Sequence, residues 1–343
     1  MINLYDFLYD DYNKIEILNK EKLKDKVVFI TGSNGLIGSN LLSYFIFMNR
    51  HFDLNIKIIA HSFSVKNNWL IDDSSIVYLN GNLNDLVVDF HFDYLIHTAT
   101  YGQPKKVLKN LKDTLELNTN TYYKLLDTSL KNNAKVLFLS TSSIYGDISQ
   151  EIHSITENFT GKVDLSSISS LYGESKRIGE IISRVFIENG LDVKIARIAI
   201  GYGPGIKLDD KRFIGEFIKK ALANNKIEML DQGDAIRQIC YISDVIEMLI
   251  NILLNSKDVV YNVSGIFYKG YGSKIRDVAE IIAKYTNAEV IVPEKNNGVL
   301  GAFANMNIDI SKYTNEFKKS YFVDINYGIL KTIKWIEQLQ GEI

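Results

Sequence analysis

One cysteine, three prolines and two tryptophans are all that 343 residues contain of these types. A lone Cys240 closes no internal disulfide, which fits a reducing cytoplasm. The scarcity of proline, with no Gly/Ser-rich stretch, leaves no linker of the kind that joins independent domains. Apolar runs such as "IKIIA" and "VLFL" are far too short to cross a bilayer. The acidic start MINLYDFLYDD lacks the basic and apolar segments of a signal peptide. Neither sign of charge dominates, with 39 Lys and Arg against 41 Asp and Glu for a net charge of −2. That balance gives no reason to expect nucleic acid or an anionic membrane as partner. The five histidines are scattered without the acid–histidine spacing of a metal site. A cytoplasmic protein without a metal is the expectation.

What is present is an ordinary globular composition, 46% hydrophobic and 23% charged. Short apolar runs predict strands over Val27–Thr31, Ile56–Ala60, Ile76–Leu79, Tyr94–Thr98, Val136–Thr141 and Val193–Ile200. Between them, apolar residues at three- and four-residue spacing predict helices over Leu36–Met48, Lys105–Lys131 and Ser175–Glu188. Strands that are apolar throughout and alternate with helices predict an α/β fold, a Rossmann-type doubly wound parallel sheet covered on both faces. The alternation breaks down after Gly201, where a smaller, interleaved C-terminal substrate domain is expected. The predicted division is an N-terminal extension at 1–24 and a dinucleotide-binding domain at 25–200, to which 241–264 return. Residues 201–240 and 265–343 are then left to bind substrate.

"VVFITGSNGLIGSN" places Gly32, Gly35 and Gly38 between the first strand and the first helix. Gly32 permits a tight turn, Gly35 lets backbone approach a pyrophosphate, and Gly38 lets helix and strand pack closely. The free amides and positive end of the helix meet the anion, so Ser33, Asn34, Leu36 and Ile37 join the loop as cofactor contacts. The second strand ends in His61 and Ser62, with no acid for the ribose hydroxyls and no arginine directly after it for a phosphate. NAD is expected and NADP is left open. "LNGNLND" puts Asn82 and Leu83 beside the adenine.

"LSTSSIYGD" ends an apolar strand in Ser140, Thr141, Ser142 and Ser143. About thirty residues on, "LYGESKRIGEII" carries Tyr172 and Lys176, four apart on one helical face. About two such tyrosine–lysine pairs are expected by chance in a chain so rich in both, and Tyr101/Lys105 and Tyr327/Lys331 are two more. Tyr172 and Lys176 alone open a strong helical pattern. An ammonium and an oxidised nicotinamide beside a tyrosine favour its phenolate, which then takes a proton from a substrate hydroxyl as hydride leaves the same carbon. A hydroxyl from Thr141 orients the substrate oxygen.

The order TGSNGLIGS, "LIHTAT", "LSTSSIYGD", "YGESK", "RIAIGYGPG" and "DQGDAIRQICYISD" resembles the extended short-chain dehydrogenase/reductases that remodel nucleotide sugars. The resemblance runs from about Lys26 to Asn307 and is nearest, in its general look, to the UDP-glucuronate decarboxylase-like branch. It implies Thr141, Tyr172 and Lys176 as the catalytic set, with Lys176 also holding the nicotinamide ribose. It implies Asn118, in "ELNTNTYYKLLD", as the helix asparagine of that family, and Ala99 and Ser140 as further cofactor contacts. Arg237 matches an arginine that grips the substrate diphosphate, a role suited to its planar fork, with Arg212 assisting. Ser142, Ser143 and Tyr202 complete the expected substrate contacts. A homodimer through helices near Lys105–Lys131 and Tyr172–Glu188 is also implied.

The departures bear on the reaction. Where family dehydratases carry an aspartate and a glutamate, this chain has Ser142 and Ser143. Where the decarboxylases carry a late arginine, it has Met306. The expectation is therefore epimerase-type chemistry at a sugar carbon, C4 by resemblance. A dehydrogenase or 4-keto reductase is the alternative, and a 4,6-dehydratase or uronate decarboxylase would need an acid elsewhere, with Glu174 the first candidate. A redox-inactive dinucleotide-binding sensor is the reading from outside enzymology.

Overall fold

A computed structural model of the chain describes residues 2–146, 154–266, 273–294 and 307–341. The apolar runs form strands β1 (Val27–Thr31), β2 (Lys57–Ser62), β3 (Ile76–Asn80), β4 (Tyr94–His97), β5 (Lys135–Thr141) and β6 (Val193–Ile198). With the strand Val260–Val263 they make one seven-stranded sheet, in the order Val260–Val263, β6, β5, β4, β1, β2, β3. Every pairing in it is parallel. This is the expected Rossmann-like α/β sheet, and its order reverses direction at β1 and β4.

Alternation of side chains along each strand divides the core in two. Val28, Ile30, Leu137 and Leu139 face one cluster, packed by the helices Leu36–Phe52 and Ile242–Asn255. Phe29, Val136 and Phe138 face another, packed by Tyr122, Leu125 and Phe186. Both faces are covered except along the edge strand β3, where Val77 is 58% exposed, which is why the inner strands carry no polar alternation.

Among the elements that differ from the sequence prediction, three bear on the site. The helix expected over Lys105–Lys131 is interrupted at Asn110, whose ψ of 51° is not helical, giving Pro104–Lys109 and Leu111–Glu116. It then passes through a π-helical turn at Leu117–Thr121 before Tyr122–Lys131. The strand expected to reach Ile200 ends at Ile198, and Ile200–Tyr202 pairs instead with Ile239–Tyr241. The helix expected from Ser175 begins at Leu171, so that Tyr172 lies in its first turn.

The N-terminal extension packs into the core. Leu4 and Leu8 are fully buried and Tyr12 nearly so, while Asn3 caps the first helical turn by accepting from the Tyr5 amide at 2.9 Å. Asp11, 2% exposed, accepts from the Tyr241 hydroxyl at 2.9 Å and from Tyr327. The Leu18 amide donates to Asn251 at 2.9 Å. The extension thus ties the helices Ile242–Asn255 and Ile325–Gly341 together. Leu8→Ala is expected to cost about 2–5 kcal/mol, as for other large-to-small changes at fully buried sites; denaturant unfolding measures it.

Candidate active site

A parallel sheet delivers the ends of its strands to one edge, and in open α/β sheets ligands bind outside that edge where the strand order reverses. Here Thr31 stands in register with both His61 and His97, so the glycine loop leaves the sheet between the ends of β2 and β4. Gly32 has φ +74°, and a Cβ there would lie 2.7–2.8 Å from Thr98 and Ala99. A Cβ at Gly38 would lie 2.3 Å from the Gly32 carbonyl oxygen, so Gly38 is required by packing. A Cβ at Gly35 meets only that same oxygen, at 3.3 Å. Gly35 caps the helix whose first turn holds Leu36 and Ile37.

The other loop side chains brace the fold. Ser33 donates to the His61 carbonyl at 3.1 Å, and the Asn34 amide reaches the Ser64 and Val65 carbonyls at 3.0 and 2.7 Å. His61 is 2% exposed with its Nδ1 unpaired among the described residues, and burial lowers its pKa below the usual imidazole value. Asn82 caps a short turn through Leu83, which is buried. The Ala99 amide donates to Thr31 Oγ1 at 3.3 Å, beside the 2.9 Å contact of that hydroxyl with His97.

Strand β5 hands the hydroxyl cluster to the same edge. The Ser140 hydroxyl turns back to the Glu180 carboxylate at 2.6 Å. Thr141 ends the strand and accepts from the Ser143 amide at 3.2 Å, capping the turn Ser142–Tyr145. Ser142 and Ser143 are half-buried. Across from them the Leu171–Glu188 helix packs so closely that a Cβ at Gly173 would lie 2.8 Å from the Ser143 carbonyl.

This contact sets Tyr172 against Thr141. Burial raises the Tyr172 pKa, while the neighbouring Thr141 hydroxyl and the nearby Arg212 charge favour the phenolate. Lys176 is 1% exposed, and its Nζ has no hydrogen-bond partner among the described residues. Burial pushes its pKa down to about 7, against the pull of Glu180. The amine sits 4.7 Å from the centre of the Phe138 ring, the outer member of a stack with Tyr122 and His97. Asn118 lies in the π-helical turn, fully buried, with its amide donating to Ser175 at 2.9 Å and its Oδ1 unpaired among the described residues. Such turns recur at functional sites because they swing a side chain out of helical register.

Of the expected substrate contacts, Arg212 is fixed by Asp210, 3% exposed, with Nε at 3.1 Å from both carboxylate oxygens. Arg237 lies half-buried on the short strand Ile236–Arg237, with burial lowering its pKa against the pull of Asp231. Tyr202 is a correction. It is 1% exposed and packs edge-on to Tyr241, and its hydroxyl would lie 2.5 Å from a Cβ at Gly328, so the side chain belongs to the core. Met306 lies outside the described residues. Glu174 sits about 200° round the helix from Tyr172, with its buried Oε1 3.4 Å from Arg177 and without a hydrogen-bond partner among the described residues.

Sequence reasoning missed Asp210, Glu180 and Arg197. The signal available was Arg197 itself, a charge inside the apolar run "VKIARIAI", which demands a buried partner. Among the described residues no group of three His, Cys, Asp or Glu could hold a metal, and no helix is long and apolar enough to cross a membrane.

A family model, the NAD dependent epimerase/dehydratase family, matches residues 28–264. UDP-glucuronic acid decarboxylase 1 of Xenopus tropicalis is 26% identical over 259 residues, 74% of this chain and 59% of that protein. UDP-glucuronic acid decarboxylase 6 of Arabidopsis thaliana is 28% identical over 232 residues, 66% of this chain and 65% of that one. The matches thus span less than two thirds of either relative. Among solved structures, UDP-glucose 4-epimerase of Thermotoga maritima superposes with a TM-score of 0.77 at 18% identity, covering 92% of this chain and 99% of that one. The dTDP-glucose 4,6-dehydratase DesIV of Streptomyces venezuelae gives 0.77 at 20% identity, covering 92% and 98%. These likenesses establish the fold.

The glycines differ in what they test. Gly35→Val is expected to abolish dinucleotide binding in a protein that still folds, whereas Gly38→Val is expected to unfold it. Calorimetric titration with NAD alongside thermal melting separates the two, and unchanged affinity in folded Gly35→Val would remove the loop from the site.

Proposed function

Because this chain belongs to the NAD dependent epimerase/dehydratase family, we propose that it oxidises and re-reduces one sugar carbon, C4 by resemblance, of a nucleotide sugar. The observation that carries this reading is the Tyr172 phenol set against Thr141, with Lys176 buried on the same helical face and serine at position 143.

The residues present fit a nicotinamide dinucleotide. Gly35 leaves backbone open at a helix N-terminus, and the buried Lys176 amine and Asn118 Oδ1 await partners. Bound there, the cofactor supplies reversible hydride transfer at the sugar carbon. Tyr172 takes the hydroxyl proton from that carbon and later returns it. Thr141 holds the same oxygen by a hydrogen bond. The positive charge of Lys176 favours the phenolate, and Arg212 adds to it. Arg212 and Arg237 are the candidates for the diphosphate.

Ser143 supports a reaction without elimination or decarboxylation. Elimination of water needs a second proton transfer and decarboxylation needs management of a carboxylate, and a serine hardly ionises. The UDP-glucuronic acid decarboxylases among the relatives favour the second reading, loss of carbon dioxide. Tyr172→Phe is expected to lose at least about a hundredfold in turnover, the scale for removing a general base, and Thr141→Val less. Products from a nucleotide-sugar panel are expected to show a change of configuration or oxidation state by proton NMR, and by mass spectrometry no loss of water or carbon dioxide. A product lighter by either overturns the epimerase-type assignment.

We also propose a homodimer. Ile178, Ile181 and Val185 recur at three- and four-residue spacing and are 41–60% exposed. They share a surface with Tyr123, 52% exposed, whose ring contacts Phe186 at 5.1 Å. Apolar side chains in such a stripe suit a self-complementary two-fold contact. Sedimentation is expected to show a dimer at micromolar concentration and a monomer for Ile181→Glu.

A further inference from the structure

Glu180 takes part in no step above. It lies one helical turn beyond Lys176, 8% exposed, and a carboxylate so buried needs its oxygens satisfied. Ser140 donates to Oε1 at 2.6 Å, Arg197 Nε to the same oxygen at 3.0 Å and Arg197 Nη2 to Oε2 at 2.7 Å. Arg197 is itself fixed, donating to the Tyr145 hydroxyl at 3.2 Å and the Glu157 carbonyl at 2.7 Å. Tyr145 in turn bonds Asn262, whose amide holds the Ile155 and Asp309 carbonyls at 3.1 and 2.9 Å. The carboxylate is held from two strands, β5 and β6, while the amine one turn away has no acceptor among the described residues.

We propose that Glu180 is a positioning residue that keeps the Lys176 amine charged, with Ser140 and Arg197 fixing the carboxylate in the place this requires. The inference rests on the reading of Tyr172 and Lys176 given above. Residues four apart on a helix share a face, and a nearby opposite charge favours the charged form of a buried group. The other ionisable groups facing the amine do not supply that charge. His97 on β4 is held neutral by its burial and by the amine itself. Burial raises the pKa of both Tyr122 and Tyr172. Arg197, on β6, is a cation bonded to both oxygens of Glu180. Glu180 is the anion acting on Lys176. With no direct bond between them, it acts through its field, which a glutamine of the same shape cannot reproduce.

The test is an NMR titration of the full chain carrying ¹³Cε-lysine, with the Lys176 signal assigned by its loss in Lys176→Met. In the parent protein the midpoint is expected near about 7. In Glu180→Gln it is expected to fall by about one pH unit or more, leaving roughly tenfold fewer charged amines just above neutrality. Glu180→Asp, which keeps the charge, is expected to restore the midpoint toward the parent value. The alkaline limb of the turnover profile is expected to move to lower pH with Glu180→Gln. A merely structural role would lower the melting temperature and leave both pH readouts in place. If Glu180→Gln does not fold, the double variant Glu180→Gln/Arg197→Gln leaves no buried charge unpaired, and its Lys176 midpoint is expected to fall likewise. An unmoved midpoint in either folded variant overturns the proposal. A midpoint that follows Glu180 in a protein whose Tyr172→Phe form keeps full turnover would instead overturn the reading of the site and leave this coupling standing.

Discussion

The in-register parallel ladder of the central sheet is the constraint on which the site depends. It aligns Thr31 with His61 and His97 and delivers Thr141 to the same edge. No side chain needs to be steered individually over a long loop, because the backbone hydrogen bonds already fix which strand ends are neighbours. The close approaches of Gly38 to the Gly32 carbonyl and of Gly173 to the Ser143 carbonyl then seat two helices against that edge. One presents amides at its N-terminus and the other presents Tyr172.

The second organising feature is charge placed where the protein has little water to solvate it. Lys176 and Glu180 are both under a tenth exposed, and Arg197 spans the gap between Glu180 and the segment around Tyr145 and Glu157. Burying a charge is unfavourable unless it is paired and hydrogen-bonded. The structure meets that condition for Glu180 and Arg197 and, among the described residues, leaves it unmet for Lys176. The same contrast separates the arginines, with Arg212 locked on buried Asp210.

The N-terminal extension shows how far the fold reaches beyond the sheet. Asp11 is held by two tyrosines from different C-terminal elements, Tyr241 and Tyr327, and Trp335 lies edge-on to both Phe7 and Trp69. The first residues of the chain are therefore part of the same apolar core as its last helix.

Much of this was legible in the order of residues. Strand β1, the glycine loop after it and the Tyr172/Lys176 spacing are local patterns, because apolar runs, turns and helical faces are set over a few neighbouring residues. The family relationship rested on the same local motifs. Other features needed the third dimension. Tyr202 reads like a neighbour of the substrate, yet its direction is set by pairing of Ile200–Tyr202 with Ile239–Tyr241, a contact between segments nearly forty residues apart. The π-helical turn at Asn118 and the carboxylate of Glu180 beneath Lys176 depend on how helices pack across the sheet. Local sequence determines which elements form and which groups they carry; long-range packing alone decides which of those groups lose water together, and with that which of them have their chemistry changed.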